Sequence, residues 1–201
     1  MPSSLPRLIL VTDRRATGRD LVAVVEAALD AGLPAVQLRE KDLPGRPLLA
    51  LAERLRAATT RTGALFLVND RIDVALAAGA DGVQLGGGSM PVEVARQLLP
   101  PGTLVGISTH APGEARADAD FALFGPVWET PSKAGAQGEA RLGEAVRAAA
   151  LPVLAIGGVT AERVPAALGA GAAGVAVIRA ILVAPDPAAA TRALLTALAA
   201  R

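Results

Sequence analysis

The sequence predicts an α/β protein built as a single (β/α)8 TIM barrel of parallel strands, one domain spanning residues 1–201. Three observations carry this expectation. First, a punctuation unit recurs: Ala31-Gly32-Leu33-Pro34-Ala35-Val36-Gln37-Leu38 resembles Ala78-Gly79-Ala80-Asp81-Gly82-Val83-Gln84-Leu85, and Gly169-Ala170-Gly171-Ala172-Ala173-Gly174-Val175-Ala176-Val177 is a third version. Each time, an Ala-rich helical stretch ends at a Gly suited to a left-handed C-cap, and a β-branched apolar run follows at once. Second, apolar runs of this kind occur along the whole chain with helical patterns between them. Third, the runs are continuous rather than alternating, as strands covered on both faces require. An open doubly wound sheet would need fewer strands and a Gly-rich turn after the first, where the chain instead has Asp13-Arg14-Arg15.

In chain order the expected strands are Leu8–Thr12, Ala35–Leu38, Leu65–Val68, Gly82–Leu85, Leu104–Ile107, Phe121–Phe124, Val153–Ile156 and Gly174–Val177. After the first strand, Asp20 reads as the N-cap of a helix at Leu21–Ala31, and the second strand is followed by a long amphipathic pattern at Pro47–Thr62. Ile72–Ala78 follows the third strand. Pro91 introduces Val92–Leu99 after the fourth, proline being suited to a helix start. Gly113–Ala117, Gly143–Ala150, Ala161–Leu168 behind Thr160, and Pro187–Ala200 complete the series. Eight such units fit a closed barrel near the lower end of its size range, with chemistry on the loops leaving the C-terminal ends of the strands.

Composition excludes several functions. The chain has no Cys and one His, so a disulfide scaffold, a thiolate metal site and a His-rich cage are all ruled out. Lys and Arg (20) nearly balance Asp and Glu (19), a net charge of +1 that supplies no field for nucleic acid or an anionic membrane. The apolar runs are short and broken by Gly, Pro or charge, and Met1-Pro2-Ser3-Ser4 leads directly into a strand, so a cytoplasmic protein is expected. The Ala-rich outer helices are compatible with a homodimer.

Polar residues at the strand ends then define the candidate site. After the second strand, a period of two places Gln37, Arg39 and Lys41 on one side of the chain, a cluster that attracts an anion unless Glu40 neutralises its neighbours. Asn69 and Asp70 follow the third strand. Asp70 suits one edge of a Mg2+ shared with phosphate oxygens, since Mg2+ takes one or two protein carboxylates and fills its shell with water and substrate; the alternative is helix capping. Gly86-Gly87-Gly88-Ser89 allows close backbone approach to a ligand. Ser108, Thr109 and His110 end the fifth strand, and His110 is the only imidazole, a conceivable general base or merely a hydrogen-bonding side chain. The longest loop carries Trp128, Thr130, Ser132 and Lys133, a phosphate-seeking lid or a surface loop. Gly157-Gly158 and Ile178-Arg179 end the last two strands, where barrels of this type bind phosphate through backbone N–H groups.

The motifs Val11-Thr12-Asp13, Gln37-Leu38-Arg39-Glu40-Lys41, Asn69-Asp70-Arg71-Ile72-Asp73-Val74-Ala75, Ala80-Asp81-Gly82-Val83-Gln84-Leu85-Gly86, Phe124-Gly125-Pro126-Val127 with Thr130 and Lys133, and Ala155-Ile156-Gly157-Gly158-Val159 together resemble the thiamin phosphate synthase / TenI family, in order along nearly the whole chain. The resemblance implies a barrel enzyme that joins hydroxymethylpyrimidine pyrophosphate to thiazole phosphate with Mg2+, releasing pyrophosphate. It implies that Gln37, Arg39, Lys41, Asn69 and Lys133 hold the pyrophosphate, that Asp70 holds the metal, and that Ser108 faces the pyrimidine. Thr130, Ser132, Gly157, Gly158, Ile178 and Arg179 then hold the thiazole phosphate. Arg39, Lys41, Lys133 and Ser108 are the implied catalytic set. The chain departs from the synthase pattern at Gln84 (usually His), at Ser89 (where a second metal-binding Asp is usual) and at Arg179 (usually Ser). Its fourth loop and Val127-Trp128-Glu129-Thr130 are similar to the TenI branch, a thiazole tautomerase, yet Pro126 stands where that branch has its catalytic His, leaving His110 as the substitute. Two more functions are compatible with the phosphate loops: a non-catalytic thiazole-phosphate-binding regulatory barrel, and an unrelated sugar-phosphate isomerase or epimerase. The second of these would need carboxylate or His bases that the strand ends lack.

Overall fold

The eight apolar runs become the staves of a closed parallel barrel in the computed structural model, which describes residues 5–115, 118–130 and 135–200. The strands are β1 (Leu8–Val11), β2 (Ala35–Leu38), β3 (Leu65–Asn69), β4 (Gly82–Leu85), β5 (Leu104–Thr109), β6 (Phe121–Phe124), β7 (Val153–Ile156) and β8 (Gly174–Val177). They are ordered β1 to β8, with β8 closing on β1. Around them run α1 (Arg14–Thr17), α2 (Leu21–Asp30), α3 (Gly45–Thr62), α4 (Ile72–Ala77), α5 (Val92–Leu98), α6 (Gly138–Ala148), a 3-10 turn (Ala161–Arg163) continuing into α7 (Val164–Gly169), α8 (Arg179–Leu182) and α9 (Pro187–Ala199). Asp20 caps α2 as expected, accepting from the N–H of Val22.

Two helical expectations need correction, and two short helices are added. Residues 113–115 are not helical, and Arg116 and Ala117 lie outside the described residues. The sixth-unit helix starts at Gly138, five residues before the expected Gly143. The four-residue helices α1 and α8 add to the expected set, being too short for any periodicity to show in the sequence.

Outside the staves, one apolar core packs the helices on the barrel, with Val36, Phe66, Val68, Val83, Phe124 and Val175 pointing outward into it. Alternation sends the other residues inward, and the pairing register sorts them into layers contributed by alternate strands. Ala35, Gly82, Phe121 and Gly174 form one layer, in which a single phenyl ring fills the space left by three small residues. Above it lie Ile9, Leu67, Gly106 and Leu154, then Gln37, Gln84, Leu123 and Ala176, then Val11, Asn69, Ser108 and Ile156. The two upper layers are split lengthwise: β2–β5 contribute amides and a hydroxyl, whereas β6–β1 contribute only apolar side chains. A substrate entering the mouth therefore meets a floor that is polar on one half and apolar on the other.

At the opposite, N-terminal end, one carboxylate device appears twice. Asp81, just before β4, accepts from the N–H of Phe66 (2.8 Å) and from Arg56 of α3 (2.6 Å). Asp120, just before β6, accepts from the N–H of Val105 (2.6 Å) and from Arg96 of α5 (2.8 Å). Each clamps the start of a neighbouring strand to a helix. Removing the carboxylate orphans a backbone N–H, so Asp120→Ala and Asp81→Ala should each lower stability by about 2 kcal/mol in urea unfolding, with activity unaffected while the protein stays folded.

Candidate functional site

With each loop numbered by the strand whose C-terminal end it leaves, loop 1 and loop 2 are tied together by Glu40, which is 5% exposed. The N–H of Arg14, in α1, donates to its carboxylate (3.0 Å), as does the Arg14 guanidinium (3.2 Å). Arg14 also forms a two-pronged pair with Asp42 (2.6 and 2.5 Å), which takes a further bond from Arg15 (2.6 Å). The Arg14 hydrogen bonds hold the Asp42 carboxyl well below the usual range. A carboxyl depressed in the folded state stabilises above its ordinary pKa and is lost on acidification, so this clasp is intact at neutral pH. Below it, Thr12 Oγ1 accepts from the N–H of Arg39 (2.9 Å).

The consequence is electrostatic. Glu40 does not neutralise the residues beside it in sequence, because its oxygens are turned to Arg14. Among the described residues, neither Arg39 nor Lys41 has an ion-pair partner. The expected two-residue alternation holds for Gln37, which is buried inside the barrel, but it breaks at a turn closed by the N–H of Leu43 on Glu40 O (3.2 Å). Lys41 is thereby brought to the wall of a cleft of about 220 Å3 that it shares with Leu38, Glu40, Asn69, Asp70 and Arg71.

Asp70 forms the other wall. Its φ of 66° lies in the left-handed region, and the N–H of Arg71 donates back to Asn69 O (2.7 Å), closing a γ-turn centred on Asp70. With positive φ this turn is of the rare, strained kind. The capping alternative fails, since Arg71 is the N-cap of α4 and no side chain caps that helix. The Asp70 side chain is exposed at the cleft, and Asn69 Oδ1 accepts from Gln37 Nε2 at 3.4 Å beside it.

Loop 4 closes on itself: Ser89 Oγ accepts from the N–H of Gly86 (2.7 Å), and the N–H of Ser89 donates to Gly86 O (3.0 Å). No group of three acidic or His side chains suited to a metal occurs among the described residues. One exposed carboxylate fits an ion carried mainly by substrate oxygens and water, and does not fit a metal held by the protein alone.

Ser108, at the end of β5, accepts from Gln84 Nε2 (3.1 Å). His110 donates its backbone N–H to Glu114 (2.6 Å), which holds the Glu114 carboxyl below its ordinary value, and its Nδ1 meets Gly125 O at 2.6 Å. A carbonyl only accepts, so Nδ1 carries the proton there.

Loops 6 and 7 extend the β6–β7 ladder beyond the strands, with the N–H groups of Val127 and Trp128 donating to Ile156 O (2.9 Å) and Gly157 O (3.0 Å). Gly157 (φ 96°) and Gly158 (φ 66°) are required by this packing itself. A Cβ on Gly157 would lie 2.5 Å from Pro126 Cα, and one on Gly158 would lie 2.6 Å from Glu129 O. Arg163 stacks on Trp128 at 5.6 Å and donates to Gly158 O (2.6 Å), fixing the loop pair from outside. Ile178 is the N-cap of α8, with Arg179 exposed in its first turn, and Thr130 lies in the loop between β6 and α6. Ser132 and Lys133 lie outside the described residues. The fold thus brings Gln37, Lys41, Asn69 and Asp70 together around β2 and β3, with Arg39 between Gln37 and Lys41 in the same loop. Ser108 sits across the floor, and Gly157, Gly158, Ile178 and Arg179 border the apolar half. The residue missed from sequence is Gln84, whose inward position follows only from the register.

The chain is similar to known proteins over nearly its whole length. The family model described as thiamine monophosphate synthase (TMP-TENI) matches residues 8–181. A putative thiamine-phosphate synthase of Geobacter sulfurreducens is 54% identical over 200 residues, covering 95% of this chain and 93% of its own. A thiamine-phosphate synthase of Roseiflexus castenholzii is 45% identical, covering 96% and 88%. Among solved structures, a thiamine phosphate pyrophosphorylase from Pyrococcus furiosus superposes with a TM-score of 0.87 at 37% identity, over 96% of this chain and 95% of that one. With a family model matched over residues 8–181 and relatives 45–54% identical over nearly the whole length, the chain belongs to the thiamine monophosphate synthase family.

Proposed function

We propose that this protein joins hydroxymethylpyrimidine pyrophosphate to thiazole phosphate, forming thiamin phosphate and releasing pyrophosphate. The observation that carries this reading is that two cations of one loop, Arg39 and Lys41, have no carboxylate partners among the described residues, and that Lys41 shares its cleft with the exposed Asp70. A pyrophosphate needs such a cluster, and a tautomerase acting on one phosphate monoester does not. In this reading Gln37, Arg39, Lys41 and Asn69, with Lys133, hold the pyrophosphate, and Asp70 together with substrate oxygens holds Mg2+, which supplies further neutralisation of the leaving group. The bond between the pyrimidine methylene carbon and the pyrophosphate oxygen breaks with both electrons going to oxygen, and the ring left behind carries the positive charge. The thiazole nitrogen then donates its lone pair to that carbon. No proton is transferred in this exchange, so no general base is required. Arg39 and Lys41 act by stabilising charge as it accumulates on the departing oxygens, without having to reorganise. The thiazole phosphate is assigned to Gly157, Gly158, Ile178 and Arg179, with Thr130 and Ser132, on the apolar half of the floor.

The purified protein with both substrates and a Mg2+ titration should give thiamin phosphate, read as its oxidised fluorescent product, and chelation should abolish it. Absence of product at every Mg2+ concentration would overturn the reading. The thiazole carboxylate phosphate tautomers, and then simple thiazole-phosphate binding, would become the activities to test. Among the described residues no helix is long and apolar enough to cross a membrane.

A further inference from the structure

We infer that Gln84 is a positioning residue that fixes the hydroxyl of Ser108 as a hydrogen-bond donor toward the pyrimidine, so that the floor of the mouth reads an unprotonated ring nitrogen. This rests on the proposed synthase reading, which places the pyrimidine over Ser108.

Gln84 is 1% exposed, deep in the polar half of the barrel. Its Nε2 donates to Ser108 Oγ at 3.1 Å, while its Oε1 is buried with no hydrogen-bond partner. Turning the amide over would give Oε1 a partner in the serine hydroxyl but leave both N–H bonds of the NH2 group without an oxygen acceptor. A buried orphan N–H is rarer in proteins than an under-satisfied carbonyl, so the observed polarity is the favoured one. The space occupied by Oε1 is built for it, because any side chain at Gly106 would overlap Gln84 Oε1 and the Phe121 ring, which lies 2.7 Å from the position of such a Cβ at its Cε2. The amide is therefore packed between Gly106, Phe121 and Ser108.

A serine hydroxyl has one proton and two lone pairs. With a lone pair engaged by Gln84, the proton is available to a group above the floor, and Ser108 is only partly buried there. The partner that this arrangement selects is an acceptor, which on an aromatic pyrimidine is a ring nitrogen. The unpartnered Oε1 is the energetic cost of this polarity. A core selected for stability alone would place an apolar side chain at position 84.

The test is a set of near-isosteric variants assayed with both substrates. Gln84→Glu offers a carboxylate that takes the serine proton and so reverses the polarity of Ser108; Gln84→Met keeps the volume and removes the donor. We expect KM for the pyrimidine pyrophosphate to rise about tenfold in Gln84→Glu and less in Gln84→Met, with KM for thiazole phosphate changed less than about twofold. In a Ser108→Ala background neither substitution should add to the loss. Should Gln84→Glu fail to fold, Gln84→Met and its cycle with Ser108→Ala decide the matter. A pyrimidine KM within about twofold of the parent in variants that fold, or effects that simply add to those of Ser108→Ala, would overturn the assignment. Inactivity of the parent protein would instead overturn the synthase reading.

Discussion

Asp70→Asn should lose about 100-fold or more in turnover and its dependence on Mg2+, while unfolding at the same temperature as the parent. The asymmetry follows from what Asp70 does and does not touch. Its side chain is exposed and caps no helix, so the fold does not use the carboxylate. Its backbone sits at φ 66°, where Asn and Asp are the most tolerant non-glycine residues, so the substitution leaves the γ-turn and its bond to Asn69 O undisturbed. What disappears is the anionic oxygen pair that lines the cleft and is able to bind a hard cation, and with it the neutralisation of the leaving pyrophosphate. Initial rates across a Mg2+ titration, with a melting curve alongside, check both halves. Full Mg2+-dependent turnover by Asp70→Asn would remove the metal from this loop. A fall in melting temperature would show that the strained turn depends on the charge itself.

The barrel is legible in the sequence because its signals are local. A helix C-cap glycine followed at once by a β-branched run is written within a short stretch of chain, and its recurrence at Gly32, Gly79 and Gly171 marks helix-to-strand junctions wherever it falls. The same locality explains the failures. Gly113–Ala117 has an Ala-rich helical composition, yet residues 113–115 form no helix, and α1 and α8 are single turns set by Asp13 and by the exit of β8. In the site, residue identities are legible while partnerships are not. Glu40 lies between two cations in sequence, yet its partner Arg14 is 26 residues away on another loop. The period of two that groups Gln37, Arg39 and Lys41 ends where the strand ends, and the turn at Glu40–Leu43 re-aims Lys41. Gln84 and Ser108 meet only through the β4–β5 register. A further local signal is present in the chain: Ala80-Asp81 and Ala119-Asp120 each precede a strand, the repeated signature of the carboxylate clamps at the N-terminal end.

Arg39→Met should cut kcat/KM for the pyrimidine pyrophosphate by about 100-fold or more while leaving stability unchanged or slightly raised, the reverse of what loss of a structural arginine does. Arg39 is anchored to the fold by its backbone, through the N–H that donates to Thr12 Oγ1, and any residue but proline supplies that bond. Its guanidinium has no ion-pair partner among the described residues and shares loop 2 with the equally unpartnered Lys41, so in the ligand-free protein the two positive charges only repel. The repulsion is relieved when the polyanionic pyrophosphate is bound, which is how a site can be unfavourable when empty and complementary to the charge that develops as the carbon–oxygen bond breaks. Glu40→Gln separates the two roles. It spares both cations and weakens the Arg14 clasp, so it should lower stability first and activity only through looser placement of loop 2. Comparing the two variants by steady-state kinetics and thermal unfolding distinguishes charge from scaffold. If Arg39→Met lost stability in proportion to activity, Arg39 would be a structural residue, and the pyrophosphate would have to be placed on Lys41 and Lys133 alone.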